Sequence, residues 1–335
     1  MYCKKSEKTN VTFIGLQHKT MANLYLTHKC NRGCTFCFAR KVLNEGSRNE
    51  HEILTVSEIE TLLQRFNGQF IELGFLGGEP FLYPYLGEAL KLLWSHNVAP
   101  KIFTSATDPL PDSINDLDIT IHPVSFIVNT GNRESYNDEK YKNLTTFLEK
   151  FHTVSLLSYT ISELDADPTF LFDIIDKFRL LTRSIRVGIA LPIYKGGNQY
   201  IDKQDYTKTG KFFVEFAKKA YERNVILGMD CGFTACMFTP TEVGTLQRCG
   251  VRYSFSCRAV VDIGPGLEAW SCFPLFQLHR ERVLDSKNLR ELSNKFDIFM
   301  NEYFNNQVGI FEKCADCEYL KRNLCEGGCK SFKSI

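Results

Sequence analysis

The chain has 335 residues, of which 44% are hydrophobic and 24% charged, a composition ordinary for a globular protein with a packed core. Its 40 basic side chains nearly balance 39 acidic ones, which gives no electrostatic reason to expect a nucleic-acid or membrane-surface partner. The sequence also lacks an apolar run with the length of a signal peptide or a membrane span, so we expect a cytoplasmic protein.

Strands and helices are predicted to alternate through the first two thirds of the chain. Apolar, β-rich runs predict six strands, at 23–27, 70–76, 101–105, 119–128, 153–161 and 185–193. Helical periodicity predicts helices between and after them, at 57–66, 85–94, 141–151, 168–178 and 209–224. Ser57 and Glu60 are placed as a capping box at the first of these helices. Six such units predict a parallel sheet, and both a partial α/β barrel and an open doubly wound sheet fit them.

Thirteen cysteines fall mainly into two groups, separated by almost two hundred residues without one. Stable disulfides are rare in the cytoplasm, so metal binding is the leading explanation for these thiols. The first group is "CNRGCTFC" at 30–37, and the second begins at Cys231. Near residue 225 the strand–helix alternation also fades into Gly/Pro turns. We therefore expect an N-terminal extension at 1–20, an α/β domain at 21–225 and a small metal-stapled domain at 226–335.

The first cysteine group directly follows the first predicted strand, at the rim of the sheet where α/β folds place their active sites. Three thiolates within eight residues cannot complete a tetrahedral zinc site, and the nearest histidine, His28, precedes them. Cysteine-only ligation favours an iron–sulfur cluster, in which three protein ligands leave one iron open to a substrate or cofactor. A structural zinc site and unliganded core cysteines are the weaker alternatives.

Two motifs in this region carry a resemblance to a known family. The cysteine spacing of "CNRGCTFC" and the later "LGGEP" resemble the signature of the radical S-adenosylmethionine (radical SAM) superfamily, over about residues 20–225. The resemblance implies a partial (β/α)6 TIM-like barrel followed by a small cysteine-rich iron–sulfur domain. It also implies an enzyme that reductively cleaves S-adenosylmethionine to a 5′-deoxyadenosyl radical, which abstracts hydrogen from a substrate.

The resemblance assigns roles to the residues of the first motif. It implies that Cys30, Cys34 and Cys37 bind a [4Fe–4S] cluster whose remaining iron is chelated by S-adenosylmethionine. Phe36, directly before the third cysteine, would lie beside the adenine. Reduction of the cluster implies an electron donor such as a flavodoxin or a ferredoxin.

The resemblance also implies a second set of contacts to S-adenosylmethionine. In the glycine motif, backbone groups and the glutamate carboxylate would receive the ammonium of the cofactor. After the third strand many relatives carry Thr-Asn-Gly where this chain has "TSAT" at 104–107, which puts contacts there in doubt. In "GIALP" the backbone would contact adenine, although an ordinary buried strand explains that segment equally well. The cofactor-binding residues implied are Gly77, Gly78, Glu79, Pro80, Ile189 and Leu191.

The later cysteines resemble the SPASM extension, which holds auxiliary [4Fe–4S] clusters behind many such barrels. The match is incomplete, because one gap in "CADCEYLKRNLCEGGC" is seven residues against the usual five and no cysteine follows Cys329. One or two auxiliary clusters are implied. One would take Cys249, Cys257, Cys272 and Cys329. The other would take Cys314, Cys317 and Cys325, with Cys236 favoured as its fourth ligand.

Nine cysteines for at most eight ligand positions leave at least one spare thiol in this region. Cys231, on or just after a short strand expected in "VILGMD", is the candidate for a hydrogen donor to the substrate. Zinc knuckles are the alternative to clusters here, since the "CxxC" and "CxxxC" spacings fit zinc as well.

SPASM relatives commonly modify peptides, so the resemblance implies a ribosomally made peptide or protein as substrate, through a cross-link, a thioether, epimerisation or oxidation. Phe273 stands where sulfatase-maturing relatives carry an aspartate, which disfavours formylglycine formation. Because only 29 residues precede Cys30, any leader peptide would need a separate binding protein or the barrel itself. A radical SAM enzyme for a small molecule and a non-catalytic, metal-stapled interaction protein are the alternatives. The sequence does not identify the substrate, the catalytic base or the oligomeric state.

Overall fold

The computed structural model of the protein describes residues 22–46, 53–257, 260–304 and 308–334. The predicted N-terminal extension at 1–20 and Cys3 lie outside the described residues. One mixed sheet runs through the described part, and its strands are β1 Ala22–Tyr25, β2 Glu72–Leu76, β3 Ala99–Thr104, β4 Ser125–Thr130, β5 Ser155–Ile161, β6 Ser184–Ile189, β7 Ile226–Met229, β8 Val261–Gly264, β9 Glu268–Trp270 and β10 Glu281–Arg282.

The order of the strands selects between the two folds that fit the sequence. β1 to β7 are parallel and lie side by side in the order in which they occur along the chain. In a doubly wound sheet, the order of the strands across the sheet would instead reverse at an internal switch point. Sequential winding is instead that of a barrel wall, so the α/β prediction of a partial TIM-like barrel is confirmed.

Helices connect these strands and cover the outer face of the sheet. They are α1 Arg40–Gly46, α2 Val56–Arg65, α3 Leu86–Ser95, α4 Asp112–Asn115, α5 Asp138–Phe151, α6 Phe170–Phe178, α7 Tyr206–Glu222, α8 Pro240–Arg248, α9 Leu289–Phe304 and α10 Glu318–Lys321. Outward-facing strand residues such as Phe75, Ile102 and Phe126 are fully buried in one core with the apolar faces of these helices. No helix in the described ranges is both long enough and apolar enough to cross a membrane.

The predicted capping box of α2 is wrong by two residues. The side chain of Thr55 accepts a hydrogen bond from Glu58 N, and the Glu58 carboxylate accepts one from Thr55 N at 2.7 Å. The chain is still paired with the strand region before this point, because Leu54 N donates to Leu26 O at 2.9 Å. Thr55 is therefore the first residue free to act as a cap, and Ser57 already lies inside the helix.

The fourth strand begins later than the predicted 119–128 segment. Asp118 accepts hydrogen bonds from the backbone and the hydroxyl of Thr120, at 2.9 and 2.6 Å, and so forms a local turn. This turn removes residues 119–121 from the sheet, and β4 starts only at Ser125. Side-chain bonds of this kind compete with strand formation.

The sheet continues across the predicted domain boundary near residue 225. β7 pairs with β6, whereas β8 pairs in parallel with β1 at the opposite side of the barrel wall. β9 and β10 then add antiparallel strands beyond β8. The cysteine-rich region therefore shares one hydrogen-bonded sheet with the barrel, and the boundary at 225/226 stays a prediction.

Polar side chains lie on the inner face of the barrel wall. Arg186 of β6 donates a 2.8 Å hydrogen bond to the carboxylate of Asp230, which follows β7. Asn23 of β1 donates to Asp262 of β8 at 2.8 Å. These charged and amide groups line the interior of the barrel, which positions them to face a polar ligand.

Asp262 is expected to make the stability of the fold decrease as the pH rises. Its side chain is 4% exposed, and burial raises its pKa to about 8, with the Asn23 hydrogen bond only partly offsetting the effect. Because the folded pKa lies above that of an unfolded carboxyl group, stability is fully present below about pH 4. It is lost as the pH rises towards 8, by at most about 1.4 kcal/mol per pH unit.

Asp262→Asn keeps an acceptor for Asn23 and is expected to flatten this pH dependence. The matched control is Asp116→Asn, at an exposed position. Denaturant unfolding of the iron-loaded protein between about pH 5 and pH 8 measures the slope. The same slope in wild-type protein and in Asp262→Asn would contradict the prediction.

Candidate active site

The first cysteine group lies in the loop between β1 and α1, at the carboxyl end of the barrel strands. Cys30, Cys34 and Cys37 are all half-buried. Burial raises the pKa of Cys37 to about 11, with further contributions from the negative charges of Cys34 and Cys30. Burial also raises the pKa of Cys30, and Glu79 and Cys34 add to the effect. The three thiols therefore lie within electrostatic range of one another and of the glycine motif.

Residues after β6 hold this loop in place from the far side of the barrel mouth. Asn198 donates to the carbonyl of Phe36 at 3.3 Å and to that of Leu191 at 2.9 Å. The Gln199 amide donates to Thr35 O at 2.9 Å. Arg40 adds hydrogen bonds to the carbonyls of Cys34 and Gly197, at 2.8 and 3.1 Å. The backbone carbonyls of the cysteine loop thus accept hydrogen bonds that tie the first predicted barrel unit to the last one.

The glycine motif packs directly against the cysteine loop. Gly78 N donates to Thr27 O at 2.7 Å, and Glu79 N donates to Lys29 O at 2.8 Å. A Cβ at Gly78 would lie 2.1 Å from Lys29 O and 2.8 Å from Cys30 Cβ. Only glycine permits this approach of the two loops. Pro80 follows as the first residue of a 3₁₀ turn and is buried.

Glu79 is buried and already has protein partners on both carboxylate oxygens. One oxygen accepts hydrogen bonds from Thr104 Oγ1 at 2.6 Å and Phe81 N at 3.3 Å. The other accepts from the amide and hydroxyl of Ser105, at 2.9 and 2.8 Å. Burial raises the pKa of Glu79 in spite of these donors. An ammonium group could approach this carboxylate only by sharing it with Thr104 and Ser105, so the predicted contact stays a prediction.

The "TSAT" segment is the part of the site that sequence reasoning missed. Thr104 ends β3 and Ser105 follows it, just as Gly77 to Pro80 follow β2, and neighbouring parallel strands end at the same edge of a sheet. That register alone could have placed the two hydroxyls beside Glu79. Ala106 adopts a left-handed φ of 53°, at the position where the Thr-Asn-Gly relatives carry glycine.

Glu79→Ala is expected to weaken the binding of S-adenosylmethionine about ten- to a hundredfold, through the loss of a charge-assisted contact. It also leaves the hydrogen-bond donors of Ser105 and Phe81 without an acceptor in the protein interior. Glu79→Gln is expected to be milder, because one acceptor oxygen survives. Calorimetric titration of the three iron-loaded proteins tests this, with Glu88→Ala at an exposed helix position as control. Unchanged affinity in both Glu79 variants would mean that the motif serves only as a turn.

The two predicted adenine contacts after β6 are engaged with protein groups. Ile189 N donates to Cys231 O at 3.1 Å, and Leu191 O accepts the hydrogen bond from Asn198. Both side chains are buried, and a Cβ at Gly232 would lie 2.9 Å from Ile189 Cβ and 3.2 Å from Leu191 Cδ2. These residues thus fix the loop after β7, and their contact with adenine stays a prediction.

The structure brings four C-terminal cysteines together around one small cavity. Thr234 and Phe311 also line it, and the four thiols are those of Cys236, Cys314, Cys317 and Cys325. Burial raises the pKa of Cys325, with further contributions from the negative charges of Cys236 and Cys314. The binding of one cluster by Cys236 and the three downstream cysteines stays a prediction.

A second C-terminal group differs from the predicted one. Cys257, Cys272 and Cys329 lie within electrostatic range of one another, as predicted, but Cys231 lies among them as well. Cys249 is instead buried in the apolar core after α8. The role of Cys249 as a ligand beside the other three thiols stays a prediction.

Groups of cysteines form two kinds of metal centre in proteins, zinc sites and iron–sulfur clusters. In the described part of the chain, no group of three or more His, Cys, Asp or Glu side chains converges closely enough to share one metal ion. Tetrahedral zinc needs all its ligands about 2.3 Å from a single point. A [4Fe–4S] cluster takes each thiolate on a different iron, so its ligands lie farther apart than those of one zinc ion. Cysteine-only sets are the usual ligands of such clusters, and the binding of clusters by these sets stays a prediction.

The comparisons with known proteins agree with this geometry. Residues 24–152 match the family model described as the radical SAM superfamily. No curated protein matches the chain. The crystal structure of Streptococcus suis SuiB bound to S-adenosylmethionine is similar with a TM-score of 0.68 and 16% identity, over 93% of this chain and 73% of that one. SuiB bound to its precursor peptide SuiA gives a TM-score of 0.67 and 14% identity, over 93% and 72%.

At such low identity, the similarity to SuiB shows a shared fold, and it does not identify the substrate of this chain. The family match covers the cysteine loop, the glycine motif and the strands that carry them. Members of this family use S-adenosylmethionine and a [4Fe–4S] cluster. Residues 24–152, which carry the two adjoining loops at the barrel mouth, are therefore similar to the radical SAM superfamily.

Proposed function

We propose that the protein is a radical SAM enzyme that modifies a peptide or protein. The observation that carries the proposal is the packing of the "GGEP" loop against Cys30 at the mouth of a partial barrel. When bound, the reduced cluster supplies the electron for cleavage of S-adenosylmethionine, which generates a hydrogen-abstracting radical. The remaining task of the chain is to bind, orient and shield these groups.

Each part of the barrel mouth has a role in this proposal. Cys30, Cys34 and Cys37 hold the cluster, while the backbone around Gly78 and the Glu79 carboxylate orient the cofactor ammonium. Phe36 contributes to the adenine site. An apolar cluster of Tyr25, Trp270 and Phe273 packs against Cys37 and excludes water from that side. Exclusion of water protects a reactive intermediate from side reactions.

A peptide substrate is supported by two observations. SuiB, with the same fold, has been crystallised with its precursor peptide SuiA. The polar inner face of this barrel also offers amide and charged groups, including Arg186 and Asp230, that can hydrogen-bond to peptide amides. Phe273 is buried in the apolar cluster where sulfatase-maturing relatives would place a carboxylate, so formylglycine formation is disfavoured.

The proposal includes a SPASM-like auxiliary domain at 226–335 behind a barrel at 21–225. Two sets of neighbouring cysteines support auxiliary [4Fe–4S] clusters there. An electron donor such as a flavodoxin or a ferredoxin is required for reduction. A separate protein that binds a leader peptide remains part of the proposal.

The test uses as candidate substrates any short peptides that are encoded near this gene. Peptide, reduced iron-loaded protein and S-adenosylmethionine are incubated together, and mass spectrometry follows the peptide. We expect a defined mass change that disappears when S-adenosylmethionine or the reductant is omitted. Turnover of S-adenosylmethionine without change in any such peptide would favour the small-molecule alternative.

A further inference from the structure

We propose that Cys231 is the fourth protein ligand of an auxiliary [4Fe–4S] site formed with Cys257, Cys272 and Cys329, and that Cys249 is a core thiol outside both auxiliary sites. The inference rests on the proposed presence of auxiliary clusters. It replaces Cys249, the ligand that the sequence resemblance implies, with Cys231, which follows barrel strand β7.

The backbone around Cys231 is fixed to the barrel wall. Asp230 N donates to Val187 O at 2.7 Å, and Cys231 O accepts from Ile189 N at 3.1 Å. The Asp230 carboxylate is in turn held by Arg186 at 2.8 Å. Cys231 therefore leaves β7 at a defined place on a rigid element, which is the placement that precise ligand geometry needs.

The C-terminal loop brings two of the other thiols to this place. Cys257 N donates to the Glu326 carboxylate at 2.7 Å, and Glu326 N donates to Phe255 O at 3.0 Å. A Cβ at Gly328 would lie 3.0 Å from Thr234 Cγ2, so the residue before Cys329 packs on the segment that follows Cys231. Three separate parts of the chain thus meet around the end of β7.

The electrostatic interactions of these thiols also connect the four cysteines of the proposed site. After burial, the causes that raise the pKa of Cys272 are Cys329, Cys257, Cys231 and Asp262, in that order. For Cys231 they are Asp230, Cys329 and Cys257. Cys231 and Cys257 also keep exposed side-chain surface although burial is the largest cause of their raised pKa. A side chain that is exposed to solvent although many protein atoms surround it lies in the wall of a cleft.

Cys249 has different surroundings. It ends α8, where its amide donates to Thr245 O at 2.9 Å, and its side chain is 8% exposed in the main apolar core. The charged groups that act on its thiol are the cations Arg248 and Lys218, and no other cysteine is among them. A small buried thiol of this kind behaves as a hydrophobic residue.

This assignment constrains what the auxiliary sites can do. With Cys231 included, each C-terminal set supplies four thiolates, which is the full complement of a [4Fe–4S] cluster. No iron then remains for a thiol or amine of the substrate to bind. Because Asp230 joins Cys231 to the Arg186 ion pair, this site also borders the polar inner face of the barrel.

The test compares Cys231→Ala with Cys249→Ala in protein whose Cys30, Cys34 and Cys37 are replaced by alanine. This background cannot cleave S-adenosylmethionine, so iron content reports the auxiliary sites independently of the proposed activity. The background is expected to bind about eight iron atoms per chain. Cys231→Ala should lose iron, or keep it with a changed electron paramagnetic resonance spectrum of one reduced cluster, and Cys249→Ala should keep both the iron and the spectrum of the background.

Loss of iron in Cys249→Ala, or full iron and an unchanged spectrum in Cys231→Ala, would overturn the assignment. If Cys231→Ala fails to fold, Cys231→Ser replaces it, because serine can retain the cluster through an oxygen ligand. The electron paramagnetic resonance spectrum of one reduced cluster should then change in Cys231→Ser and stay unchanged in Cys249→Ser. An unchanged spectrum in Cys231→Ser would likewise exclude Cys231 as a ligand.

Discussion

Replacing Cys30, Cys34 and Cys37 together by alanine is expected to abolish cleavage of S-adenosylmethionine and to leave the C-terminal iron in place. The three thiols lie in one loop after β1, and the other cysteine sets use ligands from Cys231 onward. Each site should therefore load independently. Iron content should fall from about twelve to about eight atoms per chain, since each cluster contains four.

Iron analysis and chromatographic detection of 5′-deoxyadenosine measure both parts of this prediction. Thr35→Ala is a suitable control, because its exposed side chain lies in the same loop. It should keep all the iron and the cleavage activity. Loss of all iron in the triple variant would refute the division into separate sites.

Gly78→Ala is expected to lower the rate of S-adenosylmethionine cleavage about a hundredfold or more. The added Cβ would lie 2.1 Å from Lys29 O and 2.8 Å from Cys30 Cβ, so the cysteine loop would have to move by about 1 Å. Displacements of that size in a positioned site cost about two orders of magnitude in rate. The nearest atom is the backbone oxygen of Lys29, which cannot rotate away as the end of a side chain can.

Gly33→Ala provides the matched control for this substitution. It adds the same methyl group to the cysteine loop, and no atom lies within 4 Å of the new Cβ. Its cleavage rate and iron content should stay within a few-fold of wild type. Equal rates in Gly78→Ala and Gly33→Ala would contradict the claim that the two loops must touch.

The strand–helix alternation could be predicted because it depends on local periodicity. The capping box could not be placed correctly, since Thr55 and Glu58 fit the pattern of a cap as well as Ser57 and Glu60 do. The pairing of Leu54 with Leu26, far away along the chain, decides between them. Local signals alone do not contain that information.

The candidate site shows the same limit. The resemblance assigns roles to Cys30 and Glu79, whereas the donors to Glu79 come from the end of the next strand, 25 residues later for Thr104. The resemblance likewise implies Cys249 as a ligand by its position in the sequence. Only the contact between the C-terminal loop and the end of β7 reveals Cys231 instead.

The central claim is that this chain is a radical SAM enzyme, and one measurement tests it most directly. Anaerobically reconstituted protein is reduced and mixed with S-adenosylmethionine, and 5′-deoxyadenosine and methionine are quantified. We predict that both appear in equal amounts and that neither forms without reductant. Protein that carries its full iron complement and forms neither product would contradict the account.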